Sequence, residues 1–176
     1  AYENALLGFV TTAIPVEKVH QTGLDEVARI EKQIDRVLGQ LGEVEGTREE
    51  RLQRALAKRP GVLNADDPGA REKVIASYEA IIRDAEVRAA QLFDLRPKAP
   101  VIVKREPAYR EANAAAHYTP PAPDGSRPGT FWVPLIDPRL WASRSLAHHE
   151  AVPGHHLQGA RAIELHLAIE HLSPRN

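Results

Sequence analysis

The sequence predicts a mainly α fold: a helical domain with a small β element of about two short strands beside a kinked helix that carries histidines. Three observations predict it. Apolar residues recur at three- and four-residue steps through the first half of the chain. Two short β-branched or aromatic runs, 100–103 and 129–133, interrupt the second half. Near the end, four of the chain's eight histidines fall at His148, His149, His155 and His156, split by Pro153-Gly154.

Residues 1–15 are apolar and Thr-rich without clear periodicity, and suit either a strand or a segment packed against neighbours. Residues 16–21 read as a helical turn closed by Gly23 as a left-handed cap. Leu24, Val27, Ile30, Ile34, Val37, Leu38 and Leu41 then trace one face of an amphipathic helix ending at Gly42. Thr47 and Glu50 form a capping box that opens a second helix through Leu52 and Leu56, stopping before Pro60. Asp67-Pro68 predicts the start of a third helix, with Val74, Tyr78, Ile81, Ile82, Ala85 and Leu92 inward and an end near Pro97.

The middle of the chain changes character. Residues 100–103 predict a strand. The Ala-rich 109–118 predicts a helix, and four prolines with two glycines make 119–129 a loop. Residues 129–133 predict a second strand, placed at a sheet edge because Pro134 lacks an N–H. After Pro138, Leu140 and Trp141 lead into a helix through Leu146 and His149. Pro153 interrupts it, and the pattern resumes with Leu157, Ile163, Leu167 and Ile169. The parts read as a single segment, 1–176, of a larger domain: a helical scaffold over 1–97, a strand and loop region over 98–141, and the kinked helix over 142–176.

Bulk properties exclude several classes. Twenty-three basic residues nearly balance 24 acidic ones, so nothing points to nucleic acid. No apolar run approaches the roughly 20 residues needed to span a bilayer. Without cysteine there are no disulfides and no thiol chemistry, and the compartment, exported or cytoplasmic, stays open. The absence of any methionine, including at position 1, predicts a piece of a longer polypeptide.

The histidine stretch carries chemistry. Neutral imidazole is a common zinc ligand, and a glutamate beside the first ligand can act as general base on a metal-activated water. The familiar H-E-x-x-H arrangement sets two histidines four apart on one helix face. Here four residues separate Glu150 from His155. On an unbroken helix His149 and His155 would lie about 120° apart around the axis and about 9 Å apart along it. One zinc cannot be reached from both. Pro153-Gly154 supplies a kink that lets them converge. Spacing alone leaves the choice between His155 and His156 open. His148 should face away from His149, while His20, His117, His166 and His171 are expected to be ordinary structural or surface residues.

Residues 149–158, His-Glu-Ala-Val-Pro-Gly-His-His-Leu-Gln, resemble the HEAVPGHHLQ motif of a bacterial family labelled domain of unknown function 885. Gly23 to Ile30 resembles the family's G-L-x-E-V-x-R-I helix. Residues 100–107 resemble its A-P-x-x-V-x-x-x-P strand, and 124–133 its D-G-S-R-P-G-x-F-Y-V segment. Members are regarded as zinc-dependent peptidases of the gluzincin type. The resemblance implies Zn2+ bound by His149 and His155, Glu150 as general base, and a peptide or peptide-like substrate. It places Tyr118 and Trp132 in the cleft, with the strand at 130–133 pairing to an extended substrate. In the family a later E-G-W-A-L-Y element is expected to give the third ligand, so the remainder of the polypeptide would supply it, and catalysis by 176 residues alone is not expected. The rival reading is a non-catalytic helical interaction module with a structural or vestigial histidine cluster. Removing metal separates them, because a structural site loses stability and a catalytic one mainly activity.

Overall fold

The computed structural model describes residues 2–172, with side chains described through residue 168. Two compact units divide at Pro60 and Gly61. The boundary falls inside the stretch that the sequence suggests is one helical scaffold.

The first unit holds helices α1 (Tyr2–Val10), α2 (Val16–Gln40) and α3 (Arg48–Ala57). Residues 2–10 are helical rather than a strand, and the segment ends at Thr11 with φ 55°. Gly23 is not a cap. It sits within α2, whose single run takes in the short turn and the helix predicted as separate pieces. A mid-helix glycine costs only about 1 kcal/mol against alanine, too little to break a run of 25 residues. The predicted capping box is present: Glu50 N–H donates to Thr47 Oγ1 at 3.3 Å and Thr47 N–H to Glu50 Oε2 at 2.8 Å.

Charge ties α2 to α3. Asp35 receives Arg48 at 3.0 Å and Arg51 at 2.8 Å. The buried Glu43 carboxylate receives Arg54 and Lys58. Lys58, then Arg54, holds the Glu43 carboxyl below its usual range.

The second unit is organised around α4 (Ala70–Ala89). Asp67, Pro68 and Gly69 form a turn rather than the first helical residues, with Ala70 N–H donating to Asp67 O and Gly69 at φ 73°. The helix stops at Ala89, so Leu92, predicted inward, is 79% exposed. Strands β2 (Val101–Arg105), β3 (His117–Thr119) and β4 (Gly129–Val133) form a sheet in the order β2-β4-β3. β2 runs parallel to β4 and β3 antiparallel to it, with Val103 and Tyr118 both in register with Phe131.

β4 is therefore central, correcting the edge placement. Pro134 follows the last residue of the strand, so its missing N–H falls outside the ladder. Two further short strands, β1 (Leu63–Asn64) and β5 (Arg139–Leu140), pair antiparallel, and β5 occupies residues predicted to lead into a helix. The Ala-rich stretch is helical only over α5 (Ala108–Glu111), because 117–119 joins the sheet.

Val74, Tyr78 and Ile82 of α4 pack on Val103, Phe131, Val133, Leu135 and Leu140. Phe131 is fully buried and meets the edge of Tyr78 at a centroid separation of 5.2 Å. Burying a phenylalanine is worth about 1.5–3 kcal/mol. Beside this core lie α6 (Arg144–Glu150) and α7 (His155–Leu172), with Ala147 and Ala151 completing it. Buried Glu111 clamps the sheet, taking both Arg105 donors at 2.8 and 2.6 Å and the Leu135 N–H at 2.6 Å. No described helix is long and apolar enough to cross a membrane.

Candidate metal centre

Ser143 opens α6 by accepting the Leu146 N–H on its hydroxyl at 3.4 Å. The helix ends at Glu150, and the next residues make a wide turn. Gly154 N–H reaches back to His148 O at 3.0 Å, and His156 N–H to Ala151 O at 3.1 Å. The Val152-Pro153 peptide is cis. The turn folds the start of α7 back on the end of α6. A methyl group on Gly154 would lie 1.9 Å from the His149 carbonyl oxygen, so only glycine fits there.

The result is a meeting of side chains that a straight helix forbids. The His149 and His155 rings stand 4.6 Å apart between centroids at 81°. With Glu150 they form a group whose donor atoms all lie within 4.8 Å of one another. Both imidazoles are exposed, whereas Glu150 is 5% exposed. Its Oε2 is buried and accepts no hydrogen bond among the described residues. An orphaned buried carboxylate oxygen is costly. Beside two imidazoles, it is the environment a divalent cation or a polarised water would complete. The nitrogen-rich donor set suits zinc.

His156 has a different task. Its Nε2 lies 3.1 Å from the Ala99 carbonyl oxygen, which can only accept, so Nε2 carries the proton. Nδ1 then accepts from the Tyr118 hydroxyl at 2.8 Å. Burial lowers the affinity of this imidazole for a second proton and pushes the Tyr118 hydroxyl up to about 12. The pair fills its space tightly: a methyl group on Gly129 would lie 2.6 Å from the Tyr118 hydroxyl and 2.7 Å from His156 Nδ1. His156 thus fastens β3 to α7, while His155 faces the group with His149.

The other histidines separate cleanly. His148 turns back to Arg144 O at 2.8 Å. Glu164 is held by the Lys98 N–H at 2.6 Å and by Arg161. His166 is exposed, and the side chains of Glu170 and His171 lie outside the described residues.

A cleft of about 460 Å³ opens over the group, lined by Ala116, His117, Tyr118, Pro120, Glu150, His155, Gln158 and Gly159. Tyr118 is in its wall. Trp132 stands behind it: the indole N–H donates to Thr119 Oγ1 at 3.0 Å and the ring stacks against His117. β4 cannot pair with an extended substrate, since both its edges are occupied; the open edge nearest the cleft belongs to β3. His117 and Gln158 are wall residues that sequence reasoning missed. Neither stands in a periodic pattern that would have marked it.

Fold and site together define a mainly α protein with a small mixed sheet and a candidate metal centre at a helix kink. The chain belongs to a bacterial protein family of unknown function, DUF885, whose pattern matches residues 1–170. It is also similar to a solved structure described as "the putative lipoprotein from Colwellia psychrerythraea", at 33% identity and a TM-score of 0.81. That match covers 94% of this chain and 29% of the other, so the chain spans less than a third of the relative's length. No curated protein matches.

Proposed function

We propose that this chain carries the general base and two metal ligands of a zinc-dependent hydrolase acting on peptides or related amides. One observation carries the reading: the Glu150 carboxylate, buried and with Oε2 unpartnered among the described residues, stands within 4.8 Å of the two imidazole donors. His149 and His155 would hold the ion. When bound, zinc supplies a Lewis acid that polarises a carbonyl and makes water acidic near neutral pH. Glu150 would take a proton from the attacking water on its carboxylate and return it to the leaving nitrogen. A catalytic zinc takes three protein ligands, and with Glu150 acting as base the third is proposed to come from polypeptide outside the described residues.

The test is Glu150→Gln in the full-length protein. Turnover of peptide substrates is expected to vanish while zinc content stays at the wild-type level. Normal turnover sinks the assignment, and loss of zinc along with turnover makes Glu150 a ligand rather than a base.

A further inference from the structure

Away from the metal centre, the first unit carries more apolar surface than its own residues cover. At about 100° per residue, the apolar stripe of α2 from Val37 round to Leu24 is about 140° wide. Helix α3 is tied to one flank of it, through Arg48 to Glu31 at 2.9 Å and Asp35 at 3.0 Å, and Arg51 to Asp35 at 2.8 Å. The rest stays open: Leu24, Val27, Ile30, Val37 and Leu41 are each 45–62% exposed. Between the two helices lies an apolar groove of about 490 Å³, with Ile34, Val37 and Leu41 on the α2 side and Leu52, Ala55 and Leu56 on the α3 side.

The unit buries too little to stand by itself. Among its described residues, Leu38 is the only apolar side chain fully buried. Ordering one residue costs about 1–2 kcal/mol of backbone entropy, and burying one leucine returns about 1.5–3 kcal/mol. Charge does not close that gap, because the pairs that tie α3 to α2 are partly exposed and such pairs contribute about 0–1 kcal/mol each. Helices this open need a cover wherever the protein is folded.

Two observations say what the cover is. The open stripe runs about 17 residues from Leu24 to Leu41, about 26 Å along the axis. A groove between two helices of that length takes a third helix whose apolar residues recur with the same period. The Colwellia relative holds this fold in 29% of its chain, so most of that polypeptide lies outside it. A segment of the same polypeptide meets the groove at an effective concentration on the order of millimolar, and covers it however dilute the protein is. A second copy does not.

We propose that the α2–α3 groove seats an amphipathic helix of about 17 residues, supplied by the full-length protein from polypeptide outside residues 1–176. No residue of the metal centre takes part, so this docking stands or falls apart from the hydrolase reading.

The test is made on full-length protein. Gln33→p-benzoylphenylalanine sets a photoreactive group in the groove lining. Ile30→Cys reports thiol access to the stripe, and Arg36→Cys, at an exposed position on the opposite side of α2, is the open control. Cross-links from position 33 are expected at the mass of a single chain, landing outside residues 1–176. Peptide mass spectrometry should find the thiol at position 30 reacting with a maleimide at least about tenfold slower than that at position 36, at every dilution. Gln33 is exposed, so the cross-link reads the groove even where Ile30→Cys unfolds the protein. Equal rates in folded variants, protection lost on dilution, or cross-links that join two copies, stay within residues 1–176 or fail to form overturn the proposal.

Discussion

Gly154→Ala attacks the turn on which the whole centre depends. The added methyl would lie 1.9 Å from the His149 carbonyl oxygen, 2.5 Å from the His149 carbonyl carbon and 2.6 Å from the His148 carbonyl oxygen. All three are backbone atoms, so no side chain can swing aside. Ordinary contact between a methyl and an oxygen needs more than 3 Å, so the two strands of the turn must part by over an ångström. That movement breaks the Gly154 N–H bond to His148 O and carries the His149 ring away from His155. Overpacking alone costs about 1–3 kcal/mol where side chains can relax; with rigid backbone, and a hydrogen bond worth about 1 kcal/mol added, we expect a loss of about 3 kcal/mol or more. Denaturant unfolding reads the stability, and a competition titration against a chromophoric chelator reads the zinc affinity. Both should fall. A variant with wild-type unfolding midpoint and zinc affinity refutes the argument that glycine is required by close approach.

Two further outcomes follow from the geometry. Tyr118→Phe leaves His156 Nδ1 buried without a donor, which should cost about 1–3 kcal/mol in chemical denaturation; an unchanged midpoint would show that the hydroxyl is not that atom's partner. Glu43, held low chiefly by Lys58 and Arg54, Asp35, held low chiefly by Arg48, and Glu111, held low chiefly by Arg105, all have carboxyls more acidic folded than unfolded. The folded state then binds fewer protons, so their contribution is full above the ordinary carboxyl range and lost as pH falls through it toward the lowered folded values. Thermal melts should therefore show stability falling from about pH 5 downward, and a Glu43→Gln variant should lose less than wild type over that range; equal slopes would show that Glu43 contributes no such dependence.

The helical scaffold was legible wherever local rules act alone. The Thr47-Glu50 box needs only its own four residues, and the 3.6-residue period of α2 needs no partner. Errors came where a distant partner decides. Residues 117–119 have an Ala-rich approach that favours helix, but the free edge of β4 recruits them. The same pairing turned β4 from an edge strand into the centre of the sheet. Gly23 misled because a cap and an interior glycine look alike when propagation along the helix carries the chain through. At the centre, His149 and Glu150 stood out by residue type, whereas spacing left His155 and His156 open and only the family resemblance favoured His155. The separate employment of His156 could not be read, because it depends on Ala99 and Tyr118, 57 and 38 residues away. His117 stayed hidden for the same reason: its neighbours Glu106 and Trp132 meet it only through the sheet.

The adjacency of His155 and His156 makes one turn of α7 a lever with two loads. One imidazole faces its companions at the kink; the next holds the edge strand through Tyr118, 38 residues earlier. A rotation of the helix that draws the first inward also pulls on the second. Whatever free energy an ion at the kink gains from that tether it must return to the tether in equal measure, since coupling between two sites is reciprocal. On the proposed reading, an ion at the kink and a firm Tyr118 tether on the cleft wall favour each other in equal measure.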